Sequence, residues 1–295
     1  MDKYEKNNSP LMPVNERFVD VFETFMSDNQ KTKIRANSVR QYIEGIIDLL
    51  LKDKIVEVLK PTENYMGINW SRKIKIIKEN YDEHIGENIQ EIFRIGGDGS
   101  HFNGKVKDDD LHKIINKAIH IVEDIFVKYF LDPKHKFGSE NIFTIFSMLP
   151  LHNRIYILEN VAKHYINPDV VDRLSLAYTK HGEKNKAIQL LKEALQEDVI
   201  DNNFYNSQLN KINVVSSNLV DLYKMNAQYE NNPERSLALI VGDQLVVGLP
   251  TSKDVFETSK AVQIFSGWFQ TAKDKYPEFI NLFLYLMQTD NREYN

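Results

Sequence analysis

The chain has 295 residues, 42% hydrophobic and 27% charged, an ordinary balance for a chain with a buried core and enough length for two domains. It contains no cysteine, which excludes disulfides, thiolate metal sites and cysteine nucleophiles. A formal net charge of -5 argues against a general nucleic-acid coat, which needs a strongly basic face.

Met1 to Asn15 lacks the apolar run of a signal peptide and is expected to form a flexible tail. No stretch approaches the about 18 apolar residues of a membrane span, so the expected compartment is the cytoplasm, with no membrane partner. From Lys33 to Leu59, apolar residues recur at Val39, Ile43, Ile46, Ile47 and Leu50. That three-and-four spacing predicts a long helix with one buried face, stopped by Pro61. Ile74, Ile77 and Tyr81 predict a second helix over Ser71 to Tyr81. Ile85, Ile89 and Phe93 continue the period up to a glycine-rich break, Gly96-Gly97-Asp98-Gly99. Beyond it, Asp108, Asp109 and Asp110 precede Leu111, Ile114, Ile115, Ala118, Val122, Ile125, Phe126 and Tyr129, as acids favour a helix's first turn. Lys31, Lys33, Arg35 and Arg40 form one basic patch, and Arg72, Lys73, Lys75 and Lys78 another. Both read as solvated helix faces rather than phosphate sites.

Pro133 and Gly138 mark a hinge, giving a tail over 1–15, a helical domain over 16–133 and a helical C-terminal region over 134–295. The second part opens with a helical apolar pattern through Ile142, Phe146, Leu149, Ile155 and Leu158. Asn167-Pro168 is a helix start, because Asn caps and Pro suits the first helical position. Gly182 stands where that helix needs a left-handed residue to end. Gly242-Asp243 lies between two apolar runs in Leu237–Gly248, which fits a hairpin turn or a buried helix segment. The last sixty residues are rich in aromatics. Phe265, Trp268, Phe269 and Phe283 are candidate contacts with a partner, although aromatic stripes at this spacing are also core patterns. The expected fold class is mainly α, an N-terminal bundle followed by a repeat-like helical region.

The sharpest local feature is Phe93-Arg94-Ile95-Gly96-Gly97-Asp98-Gly99-Ser100-His101, with an Arg and a His on either side of the glycines. It resembles the Arg-x(4–6)-His signature of the HEPN superfamily of helical bundles, preceded by an arginine-bearing helix over Ile34 to Glu44. The resemblance covers roughly residues 30 to 131. It implies that His101 would move the proton of a ribose 2′-hydroxyl and that Arg94 would steady phosphate charge, with two copies pairing around RNA. The sequence departs from that pattern at Ile95, where a polar residue is common, and at Asp98, where the family has Asn. A structural reading stands beside it, in which Arg94 and His101 hydrogen-bond across the loop.

Arg173 to Leu195 resembles one tetratricopeptide repeat, within a helical hairpin over 167–197. Leu174, Ala177, Tyr178, Gly182, Ala187, Leu191 and Ala194 match, and Val199 replaces the closing proline. Packing and partner binding are equal readings of the hairpin, with Tyr178 as its candidate contact. No GxxxxGK[ST], HExxH or GxSxG pattern occurs, and His112, His120, His152 and His164 form no ligand cluster, so no cofactor or metal is expected.

The size, the absence of cysteine, the two-part helical build and the altered Arg/His site together resemble phage-encoded inhibitors of the Gabija anti-phage defence system. That resemblance implies a non-enzymatic protein that homo-oligomerises around a bacterial defence nuclease–helicase complex, excluding DNA without contacting nucleic acid itself. The alternative it leaves is a HEPN-type, metal-independent ribonuclease toxin or abortive-infection effector.

Overall fold

The computed structural model describes residues 10–11, 16–101, 104–132, 146, 149 and 151–228. Phe265, Trp268, Phe269, Phe283, the Leu237–Gly248 stretch, Pro133 and Gly138 lie outside them. The described residues are mainly helical and contain no strand. None of their helices is long and apolar enough to cross a membrane. They divide into two compact units, Pro10–Ile125 and Phe126–Pro277, the latter described through residue 228.

In the first unit, α1 (Glu16–Met26) precedes α2 (Thr32–Ile46), which passes through a π-helical turn, Ile47–Leu51, into α3 (Lys52–Val56). The apolar period from Val39 is the buried face: Val39, Ile43, Ile46 and Ile47 are completely enclosed. Phe18 and Phe25 of α1 meet Tyr42 of α2 edge to face, with ring centres 5.7 and 5.5 Å apart. Such contacts add about 0.5–1.5 kcal/mol each to the area they bury.

After the connection over 57–69 come α4 (Trp70–Ile76) and a second π-helical turn, Ile77–Tyr81. The side chain of Asn69 caps α4 by accepting from the Arg72 amide. The single period seen from Ile74 to Phe93 breaks at Asp82, which caps a new helix, α5 (Glu83–Ser100), by accepting from the Ile85 amide at 3.0 Å. Next is α6 (Asp108–Leu131), with its three aspartates in the first turn; its residues from Phe126 on belong to the second unit. Asp108 Oδ1 accepts from Thr32 Oγ1 at 2.7 Å, tying α6 to the start of α2.

The expected glycine-rich break does not exist, because α5 runs unbroken through Gly96, Gly97, Asp98 and Gly99. The cause is the closeness of α2. A Cβ at Gly96 would lie 2.6 Å from Arg40 Cβ and 2.9 Å from the Ala36 carbonyl oxygen, and one at Gly99 would lie 2.7 Å from the Lys33 carbonyl oxygen. Helix propensity disfavours these glycines, but the contact between helices requires them.

In the second unit, α7 (Leu151–His164), α8 (Pro168–Lys180), α9 (Lys184–Gln196) and α10 (Asn202–Gln228) follow one another, and α8 packs against the other three. Asn167 caps α8 by accepting from the Val170 amide at 2.8 Å, with Pro168 in the first turn. Gly182 takes φ +89° between α8 and α9, the left-handed geometry that a Cβ resists. Ala177, Ala187 and Ala194 are buried where these helices approach one another. Gln208 of α10 donates to the Asp172 carbonyl (3.1 Å) and to Ser175 Oγ (3.0 Å), fixing α10 along α8.

Candidate functional site

On α5, the buried residues Ile85, Ile89, Ile92, Ile95, Gly96 and Gly99 define the inner face, leaving Glu87, Arg94 and Asp98 on the outer one. Arg94 is exposed within the helix, and His101 is its exposed C-cap. Seven residues at 1.5 Å rise place them about 10 Å apart along the axis. No hydrogen bond links the two side chains among the described residues, so the cross-loop bond is not made. The loop it would span is a helix, and the separation is too long. Asp98 stands between them, one turn beyond Arg94, and is exposed like both.

The basic residues nearby are mostly neutralised at short range. Arg35 donates to the Phe25 carbonyl (2.8 Å) and to Asp28 Oδ1 (2.9 Å). Arg40 pairs with Glu44 at 2.9 Å and lies over the Phe93 ring, 5.2 Å from its centre. The Lys33 ammonium donates to the His101 carbonyl. In the other patch, Arg72 meets Glu63 at 3.7 Å, Lys75 meets Glu79 at 3.7 Å and Lys78 meets Glu87 at 2.8 Å. Cations paired in this way present little net field to a polyanion.

Lys73 corrects the expectation of a solvated basic face. It is only 6% exposed. Its Nζ lies 3.6 Å from the centre of the Tyr65 ring, 4.2 Å from that of Trp70 and 3.5 Å from Asp48 Oδ1. A buried ammonium needs such compensation, and two aromatic faces with one carboxylate supply it. The Tyr65 hydroxyl donates to the same Asp48 oxygen, which the π-helical turn Ile47–Leu51 carries. The signal available in the sequence was Trp70 and Lys73, one helical turn apart; nothing local linked either to Asp48 or Tyr65.

This cluster anchors the connection over 57–69. Within it, Glu63 Oε2 accepts from the Lys60 amide and Asn64 Oδ1 from the Gly67 amide at 2.8 Å. Tyr65 points inward at 7% exposure, while its neighbour Met66 is 86% exposed. Val56 (47%) ends α3 just before this connection, and Val58 (40%) lies within it. The connection is thus tied down at its base while Met66 is turned outward.

Burial, and then the bond to Asp48, push the Tyr65 phenol well above its ordinary value. A raised phenol favours the protonated form in the folded chain, so its stabilisation is complete below about pH 10 and is lost as pH rises further. Tyr65→Phe is expected to lower unfolding free energy by about 1.5–3 kcal/mol, the range for a bond to a charged group, as read by urea denaturation at pH 7.

Tyr178, the candidate contact in the helical hairpin, is a core residue at 5% exposure. Its hydroxyl donates to Glu159 Oε1 at 2.7 Å, and the same oxygen accepts from Lys186 Nζ, which lies over the Tyr178 ring at 4.2 Å. The aromatic face is thus occupied from within the chain, and Tyr178 offers no surface to a partner. Between α5 and α6, Glu91 accepts from Lys113 (2.6 Å) and Lys117 (2.7 Å), and these bonds hold its carboxyl below the usual range. Among the described residues no group of three or more His, Asp or Glu is arranged to hold a metal ion. No family model, curated protein or solved structure matches the chain.

Proposed function

We propose that this chain is a non-enzymatic, protein-binding inhibitor of a bacterial anti-phage defence complex of the Gabija type, assembling in several copies around the nuclease–helicase and keeping DNA from its nuclease. The observation that carries the binding reading is the connection over 57–69, where buried Tyr65 and Lys73, closed on the outside by the half-exposed Asp48, hold a base from which Met66 stands 86% exposed. Ordering such a loop in advance lowers the entropic cost of docking, and a large apolar side chain at its tip suits a partner's recess. Several moderate contacts of this kind per assembly would combine into tight inhibition. Phe265, Trp268, Phe269 and Phe283 are further candidate contacts.

The identity of the target rests on the resemblance of the whole chain to Gabija inhibitors. The ribonuclease alternative draws support from one observation, that Arg94 and His101 are both exposed at the same end of α5. Co-purification of tagged protein with the nuclease–helicase, followed by mass measurement in solution, tests the proposal. A stable assembly with several copies per complex is expected; separate elution at micromolar concentration would overturn the target.

A further inference from the structure

The start of α7 is positive and enclosed. Leu151, Asn153 and Arg154, all in its first turn, are 4%, 2% and 7% exposed, and no acidic residue stands in that turn. A helix N-terminus carries about half a positive charge. Side chains on a helix lean toward its N-terminus, and Arg154 is the fourth residue of this one. Its Nε and Nη2 are buried without any hydrogen-bond partner. Burial lowers the guanidinium to about 10, and among the described residues no carboxylate acts on it.

The first turn of α7 thus holds a partial positive charge and a buried guanidinium that no carboxylate among the described residues meets. A lone buried charge is among the costliest arrangements in a fold unless something negative meets it. Guanidinium nitrogens in a fork match the paired oxygens of a carboxylate or phosphate, and helix N-termini favour the same groups.

We propose that the N-terminal end of α7 is an oxyanion-binding site, with Arg154 as the group that grips a phosphate or carboxylate through Nε and Nη2. The small residual exposure limits the guest to a free ion or the end of a larger ligand. This site is separate from the connection over 57–69 and does not depend on the defence-inhibitor reading.

The test uses the full chain in a chloride buffer free of other oxyanions. Thermal unfolding is followed as inorganic phosphate or acetate replaces chloride at constant ionic strength. For wild type, phosphate is expected to raise Tm by at least about 3 °C with saturation, as for a ligand well above its dissociation constant. Arg154→Met, which keeps the volume but removes the charge, is expected to fold with equal or higher Tm in chloride and to show no saturable response. Acetate separates the sources. A response to both ions assigns the site to oxyanions generally, and a response to phosphate alone assigns it to phosphoryl groups. The proposal is overturned if wild type responds to neither ion, or if Arg154→Met responds as wild type does. It is also overturned if Arg154→Met is unfolded or strongly destabilised in chloride, since Arg154 would then already be paired within the chain. Phosphorus NMR line broadening of inorganic phosphate, present with wild type and absent with Arg154→Lys, provides a readout independent of melting.

Discussion

Alanine at Gly86, Gly96 or Gly99 is expected to destabilise the protein by about 1–3 kcal/mol each, the usual cost of overpacking, whereas alanine at Gly97 is expected to stabilise it by up to about 1 kcal/mol. All four glycines lie in α5, so helix propensity alone predicts a gain at each. Packing reverses the sign at three. A Cβ at Gly86 would lie 2.5 Å from Lys78 Cα, one at Gly96 2.9 Å from the Ala36 carbonyl oxygen and one at Gly99 2.7 Å from that of Lys33. These neighbours are backbone and cannot rotate aside. At Gly97 the nearest atom is Arg40 Nη1 at 3.8 Å, the end of a long side chain in ordinary contact. Urea denaturation of the four variants measures the pattern. Equal gains at all four would mean that α5 does not lie against α2 and the Ile77–Tyr81 turn as described.

Met66→Asp is expected to weaken association with the target roughly 30-fold, the equivalent of losing a contact of about 2 kcal/mol. At 86% exposure, the side chain contributes little to the fold, so the variant should melt with wild type. His101→Ala should bind and inhibit as wild type does, because its side chain holds no partner in the described structure and its carbonyl, which accepts from Lys33, is unchanged. Affinity measured by calorimetry for the two variants distinguishes binding from chemistry. A normal Met66→Asp beside an inactive, folded His101→Ala would favour the ribonuclease.

The helices were legible where one face is uniformly apolar. Val39, Ile43, Ile46 and Ile47 announce a buried stripe, and Asn167-Pro168 and Gly182 announce the ends of α8, because capping and left-handed turns are local chemistry. The glycines of α5 misled for a physical reason. Propensity reads glycine as a break, yet at Gly96 and Gly99 the deciding term is the approach of a helix some sixty residues earlier. The π-helical turn at Ile47–Leu51 leaves no local mark, and so Asp48 was not connected with Tyr65 and Lys73. Tyr178 carries both a packing and a partner reading in the sequence, because an aromatic at repeat spacing looks the same whether its ring faces a partner or, as here, an internal lysine.

The sequence marks Arg94 and His101 as polar residues on either side of glycines; the structure places both at the surface, without a bond between their side chains. Their separation depends on whether the intervening segment turns or continues as helix, and that is decided by α2.

The most direct measurement is a titration of DNA cleavage by the defence nuclease–helicase, held well above the expected dissociation constant, with increasing amounts of this protein. If it acts by gripping the complex, activity falls linearly to an endpoint at a fixed molar ratio that does not change with preincubation time. Loss of activity far below stoichiometry, growing with time, would contradict a binding mechanism and point to chemistry.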